Sequence, residues 1–100
     1  MKNIAILGST GFIGRAALEV ARHFPDRFRV VGLTANSNID ILYKQVKEFR
    51  PLVVCVRDKL AARKLSPLLK SPARLFQGED GLERLVQDNR IEQILLAIAG

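Results

Sequence analysis

Three glycines near the start of the chain, Gly8, Gly11 and Gly14, have a spacing that could hold a phosphate group. They follow the apolar run 4–7 and open a stretch with helical character. A strand, a tight glycine turn and a helix start bring unpaired backbone N–H groups and the positive end of the helix dipole to one point. Glycine also lets a pyrophosphate come close, because no Cβ is in the way. This placement favours a dinucleotide-binding turn over a purely structural turn.

A second candidate segment is the polar loop Asn36-Ser37-Asn38, which follows the second apolar run. In NAD-binding folds of this type, an Asp or Glu at that place accepts hydrogen bonds from the ribose 2′-OH. Here the first carboxylate after the second predicted strand is Asp40, beyond the loop. A carboxylate would repel a 2′-phosphate, whereas Ser and Asn side chains can donate hydrogen bonds to it. The loop therefore favours NADP(H) over NAD(H), with a plain polar turn as the alternative.

Elements that position these segments are predicted from alternating apolar runs and helical periodicity. The predicted strands cover residues 3–7, 29–34, 52–56, 73–77 and 93–98. The predicted helices cover residues 12–23, 39–49, 58–69 and 80–88. Pro67 predicts that the third helix ends or kinks near Leu65. Apolar strands joined by single helices imply an α/β fold, a doubly wound, Rossmann-like parallel sheet of about five strands with helices on both faces. The expected strand order is 3-2-1-4-5.

The composition is typical of one globular domain, with 100 residues, 48% hydrophobic and 26% charged. The apolar run 94–99 is too short to span a bilayer. The N-terminus leads directly into the first strand, with no separate signal-peptide region. We therefore expect a cytoplasmic protein without a membrane partner. Cys55, the single cysteine, lies in an apolar run and is expected to be a buried, unreactive thiol.

The net charge is +6, from 16 Lys and Arg against 10 Asp and Glu. The basic residues are scattered along the sequence and aromatic residues are not interleaved with them, so we expect no nucleic-acid partner. We interpret them as solvated helix faces, which would also favour a ligand that carries several phosphates. Lys44 and Arg57 could add positive charge near the loop at 36–38, but their positions do not follow from the sequence.

No residues are predicted to be catalytic or to hold a metal. His23, the only histidine, is expected to cap the end of the first helix rather than to act as a general base. The carboxylates at Asp26, Asp40, Asp58 and Asp80 lie at predicted turns or helix starts, and none pairs with a His or Cys at metal-ligand spacing.

Three segments, with the distances between them along the chain, strongly resemble the 1-deoxy-D-xylulose 5-phosphate reductoisomerase family. They are residues 8–14, residues 25–31 (Pro-Asp-Arg-Phe-Arg-Val-Val) and residues 35–38. The resemblance covers nearly the whole chain, including residues 94–100, which look like the family's fifth strand. It implies NADPH as cofactor, with a divalent metal, Mg²⁺ or Mn²⁺. It also implies the conversion of 1-deoxy-D-xylulose 5-phosphate to 2-C-methyl-D-erythritol 4-phosphate in the non-mevalonate isoprenoid pathway.

The resemblance matches Thr10, Gly11 and Ile13 to the family's phosphate-binding turn, and Ser37 and Asn38 to its loop for the 2′-phosphate. With the glycine spacing and the loop composition, the predicted cofactor-binding residues are Gly8, Thr10, Gly11, Phe12, Ile13, Gly14, Asn36, Ser37 and Asn38.

Two positions depart from the family's pattern. Phe12 stands where the family usually has Ser, which removes one hydroxyl donor but leaves the backbone N–H. Asn36 replaces a residue that is often Gly, so its backbone could prefer a different conformation, although Asn tolerates the left-handed region better than most residues.

The resemblance also implies that the metal ligands, the substrate-phosphate site and a flexible lid lie beyond residue 100. We therefore expect residues 1–100 to be a truncated NADPH-binding domain without the catalytic and C-terminal domains, and inactive alone. The expected parent enzyme binds a sugar-phosphate substrate and is a homodimer.

Two alternatives remain open from the residues. One is a fragment of an extended short-chain reductase or epimerase, in which Phe is common at position 12. Those enzymes need a Tyr-x-x-x-Lys pair, which Tyr43 and Lys47 match in spacing but on an apolar helix face and too early in the chain. The other is a stand-alone module that binds a nucleotide without chemistry.

Overall fold

The computed structural model describes residues 1–70 and 72–97, which form a five-stranded parallel sheet with helices on both faces. The strands are β1 (Lys2–Leu7), β2 (Phe28–Ala35), β3 (Val53–Val56), β4 (Arg74–Gln77) and β5 (Gln93–Leu96). The helices are α1 (Phe12–His23), α2 (Ile39–Phe49), α3 (Lys59–Leu65) and α4 (Gly78–Val86). The predicted doubly wound α/β class is confirmed. The predicted end of the fifth strand, residue 98, lies outside the described residues.

The strand order, in contrast, was predicted wrongly: the sheet has the order β4-β3-β2-β1-β5 instead of 3-2-1-4-5. The chain moves in one direction from β1 to β4 and passes to the other side of β1 only for β5. The residues of β4 explain this position. Arg74 and Gln77, at the two ends of β4, are exposed, which suits an edge of the sheet and not a place beside the buried β1.

The strand order also decides which face each helix covers. α1, α2 and α3 lie on one face, where Leu18, Leu42 and Leu65 belong to one hydrophobic cluster. α4 lies on the opposite face, where Leu85 packs with Cys55. Since a right-handed crossover changes face when the direction of travel reverses, this division follows from the order. The reversal point lies between β1 and β5, and ligands of such sheets bind there, beyond the carboxyl ends of the strands.

Local signals set several helix ends as expected, whereas α4 begins and ends two residues earlier than the predicted range 80–88. The Asn38 side chain caps α2 by accepting a hydrogen bond from the N–H of Ile41 at 3.2 Å. α3 ends at Leu65 and continues as a 3-10 turn at Ser66–Leu68, because Pro67 cannot extend an α-helix. His23 lies in the last turn of α1, where its Nδ1 donates to the carbonyl oxygen of Glu19 at 2.8 Å.

Cys55 is completely buried, as predicted, and burial raises the pKa of its thiol to about 11. Among the described residues, no helix combines the length and the apolar character needed to cross a membrane.

Candidate functional site

The glycine turn after β1 is attached to the neighbouring strand. Gly8 has a φ of +84°, in the left-handed region that favours glycine. Its N–H lies 3.1 Å from the carbonyl oxygen of Thr34 and 3.0 Å from Thr34 Oγ1. The N–H of Ser9 donates to the same carbonyl at 2.8 Å. Because Thr34 is buried near the end of β2, the turn is held at the carboxyl edge of the sheet.

α1 begins at Phe12 with free hydrogen-bond donors. Gly11 is its N-cap, no side chain caps this end, and the first turn contains no acidic residue. The N–H groups of Phe12, Ile13 and Gly14 have no acceptor among the described residues, and the first N–H with a partner is that of Arg15, which donates to Gly11 O at 2.9 Å. Free donors at the positive end of a helix form a binding site for an anion such as a phosphate.

The glycines of the turn differ in what excludes a side chain. A Cβ on Gly14 would lie 2.1 Å from the carbonyl oxygen of Gly8 and 2.6 Å from Ser9 Cα, so the fold itself requires glycine there. A Cβ on Gly11 would lie 3.7 Å from Gly8 O, an ordinary van der Waals distance. Gly8 and Gly14 are therefore needed for the backbone, whereas the space in front of Gly11 is open to a ligand.

The start of α1 also carries exposed apolar side chains. Phe12 is 84% exposed and Ile13 is 60% exposed, although both are large and hydrophobic. Thr10, between the turn and the helix, is half-buried. The predicted residues of the turn are thus contiguous, and they present backbone donors together with an apolar rim.

The loop at 36–38 meets the glycine turn at the same edge of the sheet. Leu7, the last residue of β1, pairs with Thr34 of β2 in the parallel register. The segments that follow these two strands therefore begin side by side. All three residues of the loop are exposed.

Side chains of this loop keep hydrogen-bond donors available. Asn38 uses its Oδ1 for the cap of α2, so its amide N–H groups are free to donate. The Ser37 hydroxyl has no hydrogen-bond partner among the described residues. Asn36 does not adopt the left-handed conformation, because Arg50 is the only described non-glycine residue with a positive φ. Its replacement of the family's frequent Gly therefore requires no strained backbone here.

The backbone of Arg57 lies beside the start of this loop, a position that could not be derived from the sequence. It follows β3, and its N–H donates to Ala35 O at 3.0 Å. Its guanidinium forms an ion pair with Glu79, while its Nε is buried and has no partner among the described residues. A buried donor without an acceptor is uncommon in proteins and fits a site for an anion. Lys44, the other candidate, is exposed on α2.

The turn is also tied to α2 by a residue that sequence reasoning missed. Gln45 is buried, and it exchanges two hydrogen bonds with Ser9: Ser9 Oγ donates to Gln45 Oε1 at 2.7 Å, and Gln45 Nε2 donates to Ser9 O at 2.8 Å. The only signal in the sequence is a polar residue beside the apolar positions Leu42 and Val46 of the helix.

Other chemistry-bearing residues lie elsewhere. Tyr43 packs against the hydrophobic cluster beneath α2, and Lys47 Nζ lies 5.3 Å from the centre of its ring. Both residues line a cleft with Arg29 and Arg50, at the amino ends of the strands, and so do not face the glycine turn. Within residues 1–70 and 72–97, no group of three or more His, Cys, Asp or Glu side chains could hold a metal ion.

Comparison with solved structures finds the same fold. A DOX-P reductoisomerase in complex with NADPH, fosmidomycin and magnesium has a TM-score of 0.89 and 29% identity, over 100% of this chain and 25% of that one. The 1-deoxy-D-xylulose 5-phosphate reductoisomerase from Zymomonas mobilis in complex with NADPH has a TM-score of 0.90 and 27% identity, over 99% of this chain and 26% of that one.

Sequence comparison agrees with this likeness. The chain is 44% identical to the 1-deoxy-D-xylulose 5-phosphate reductoisomerase of Caldanaerobacter subterraneus and 46% identical to that of Thermodesulfovibrio yellowstonii. Both matches cover 100% of this chain and 26% of the relative, so the chain spans about a quarter of the length of these proteins. The family model for 1-deoxy-D-xylulose 5-phosphate reductoisomerase matches residues 4–100. The chain therefore belongs to the 1-deoxy-D-xylulose 5-phosphate reductoisomerase family.

Proposed function

We propose that residues 1–100 are the NADPH-binding domain of a 1-deoxy-D-xylulose 5-phosphate reductoisomerase. The observation that carries this proposal is the set of free N–H groups at Phe12, Ile13 and Gly14, next to the open space at Gly11. These donors and the helix dipole would bind the pyrophosphate. Thr10 would add a hydroxyl donor, and Gly8 would let the chain turn below the cofactor.

The loop at 36–38 would bind the 2′-phosphate of NADPH. Ser37 can donate its hydroxyl hydrogen, and Asn38 its amide hydrogens, while Asn36 lines the same loop. Arg57 adds a guanidinium whose buried Nε has no partner in the described chain. A charged donor of this kind binds phosphate more strongly than a neutral donor. A ribose 2′-OH would lack the charge that these donors favour, so the site is expected to prefer NADPH to NADH.

The activity of the parent enzyme would be the isomerisation and reduction of 1-deoxy-D-xylulose 5-phosphate to 2-C-methyl-D-erythritol 4-phosphate, in isoprenoid biosynthesis. NADPH supplies the hydride for such a reduction. Support comes from a solved relative that is a complex with NADPH, fosmidomycin and magnesium. The groups that bind Mg²⁺ or Mn²⁺ and the sugar phosphate would belong to the part of the enzyme that this chain does not span. We further propose a cytoplasmic, homodimeric parent.

Nuclear magnetic resonance of the ¹⁵N-labelled chain tests the cofactor site. On addition of NADPH, we expect saturable shifts of the N–H signals of Phe12, Ile13 and Gly14, and of Ser37. The signals of Arg63 and Lys64, exposed on α3, provide the internal control and should not move. Binding that leaves the turn signals unchanged would contradict the proposed site.

Catalysis needs a separate assay. The chain mixed with 1-deoxy-D-xylulose 5-phosphate, NADPH and Mn²⁺ is expected to give no oxidation of NADPH, measured by absorbance. Turnover by these 100 residues would overturn the assignment as a cofactor domain alone.

A further inference from the structure

A basic cleft lies at the amino ends of β2, β3 and β4, the opposite edge of the sheet from the glycine turn. Its volume is about 1020 Å³. The basic residues that line this cleft are Arg29, Lys47, Arg50, Lys70, Arg74 and Arg90. No Asp or Glu belongs to its lining in the described part of the chain.

The fold brings these residues together from separate parts of the sequence. Arg29 and Arg74 lie at the starts of β2 and β4, and β3 runs between those strands. The N–H of Arg74 donates to Leu52 O at 3.0 Å, which joins the start of β4 to the residue before β3. Arg50 ends α2 in a left-handed conformation with a φ of 49°. Basic residues that are scattered along the sequence are therefore gathered at one edge of the fold, where they remain exposed.

Most of these charges are not neutralised within the protein. Arg90 forms an ion pair with Asp88, at 2.6 Å. Arg29, Lys47, Arg50, Lys70 and Arg74 form no ion pair with any residue that the structure describes. Lys47 and Arg74 lie over the rings of Tyr43 and Phe76, at 5.3 and 4.8 Å, which orients them without removing their charge.

The floor of the basic cleft is apolar. Val46 and Pro51 are buried there, and Leu52 and Leu69 are half-buried. A concave wall of low polarity concentrates the field of charges of one sign and raises the local concentration of counter-ions. The volume is near the upper limit of small-molecule sites, roughly 300–1,000 Å³.

We propose that the basic cleft is a second anion site, which binds a compact small molecule with several adjacent phosphates. Clustered lysine and arginine side chains provide point charges and forked donors that suit neighbouring phosphate groups. A nucleic acid fits less well, because single strands bind on exposed aromatic faces and Tyr43 is half-buried under Lys47. The site is separate from the proposed NADPH site, so either can exist without the other.

Titration calorimetry with inorganic tripolyphosphate tests this site. The unmodified chain is expected to bind one equivalent. The double variant Arg50→Gln/Lys70→Gln, which removes two charges from the cleft, should bind at least about tenfold more weakly. The matched control Arg63→Gln/Lys64→Gln removes the same charge from α3, outside the cleft, and should stay within about twofold of the unmodified chain.

Gly11→Val separates this proposal from the proposed function. Tripolyphosphate binding that survives in this variant supports the cleft, whereas its loss would assign the anion to the glycine turn and overturn the proposal. Absence of binding, or equal weakening by the two double variants, would also overturn it. So would a short single-stranded RNA that displaces tripolyphosphate at lower concentration. Urea unfolding of each variant shows that lost binding does not reflect a lost fold.

Discussion

Ser9 and Gln45 exchange two hydrogen bonds in the interior of the protein, at 2.7 and 2.8 Å, and so join the phosphate-binding turn to α2. Because Gln45 accepts one hydrogen bond through Oε1 and donates the other through Nε2, the two bonds define the orientation of its carboxamide group. Asn38, the N-cap of α2, is the end of the loop proposed for the 2′-phosphate. One buried contact therefore connects the two segments of the proposed NADPH site.

Ser9→Ala is expected to lower the free energy of unfolding by about 1–3 kcal/mol, because Gln45 Oε1 is left buried without its donor. Urea denaturation followed by circular dichroism measures this change. Ser37→Ala is the matched control: the Ser37 hydroxyl is exposed and has no hydrogen-bond partner among the described residues, so loss of this hydroxyl should change stability by less than about 0.5 kcal/mol.

A double-mutant cycle then tests the pairing itself. Gln45→Leu should also destabilise the protein, because it leaves Ser9 without its partner. The double variant Ser9→Ala/Gln45→Leu should lose less than the sum of the single changes, by at least about 0.5 kcal/mol. Strictly additive losses would mean that the two residues stabilise the fold independently.

Gly11→Val and Gly14→Ala are expected to have opposite effects on binding and on stability. Gly11→Val should weaken NADPH binding by at least about a hundredfold, because the side chain occupies the open space at the helix start, with little effect on unfolding. Gly14→Ala should destabilise the fold by several kcal/mol, roughly the range for strained or overpacked positions, because its Cβ would lie 2.1 Å from Gly8 O. Calorimetry with NADPH and urea unfolding distinguish the two. Normal NADPH affinity in Gly11→Val would make the turn a purely structural one.

Arg57→Met is expected to reduce the preference for NADPH over NADH. Loss of one charged hydrogen-bond donor should weaken NADPH binding by about tenfold or more, while the affinity for NADH should stay within about twofold of that of the unmodified chain. Methionine keeps an apolar stem of similar length, so packing against the sheet is retained. Arg63→Met, at an exposed position of α3, is the control and should leave both affinities unchanged. Equal losses for the two cofactors would remove Arg57 from the 2′-phosphate site.

Local signals in the sequence were sufficient for much of the fold. α1 and α2 have the predicted bounds, because Gly11 and Asn38 define their starts and Pro51 follows the second helix. The strand order was not accessible in this way. The pattern of a β-α-β unit does not say on which side the next strand is added, and only the exposed ends of β4 hint that it lies at an edge.

Part of the candidate site depends on contacts between residues that are far apart in the chain. The turn and the loop could be recognised from their composition, because each is a short continuous segment. The burial of Gln45, which is 36 residues from Ser9, depends on how α2 packs against β2, beside the turn that follows β1. In the same way, the position of Arg57 beside Ala35 requires the pairing of β2 with β3.

Asp88→Asn is expected to have an effect on stability that depends on pH. The Asp88 carboxylate accepts hydrogen bonds from the Arg90 side chain, at 2.6 and 2.9 Å, and from the Arg90 N–H at 2.9 Å. These contacts lower the pKa of Asp88 from 3.8 to about 2. A carboxyl group with a lowered pKa stabilises the fold fully above the unfolded value, and this stabilisation is lost as the pH falls through the folded value.

At pH 7 the Asp88→Asn variant should therefore unfold with a free energy lower by roughly 0.5–1 kcal/mol, a small difference because Arg90 is largely in solvent. Below pH 4 the difference should shrink, and it should vanish only below pH 2, where Asp88 is protonated in the folded state as well. Urea denaturation at pH 7, 5 and 3 measures the trend. Asp26→Asn, at an exposed carboxylate without a described ion pair, is the control and should show little change over this range. A difference for Asp88→Asn that is the same at every pH would mean that the charge of the Asp88 carboxylate is not its cause.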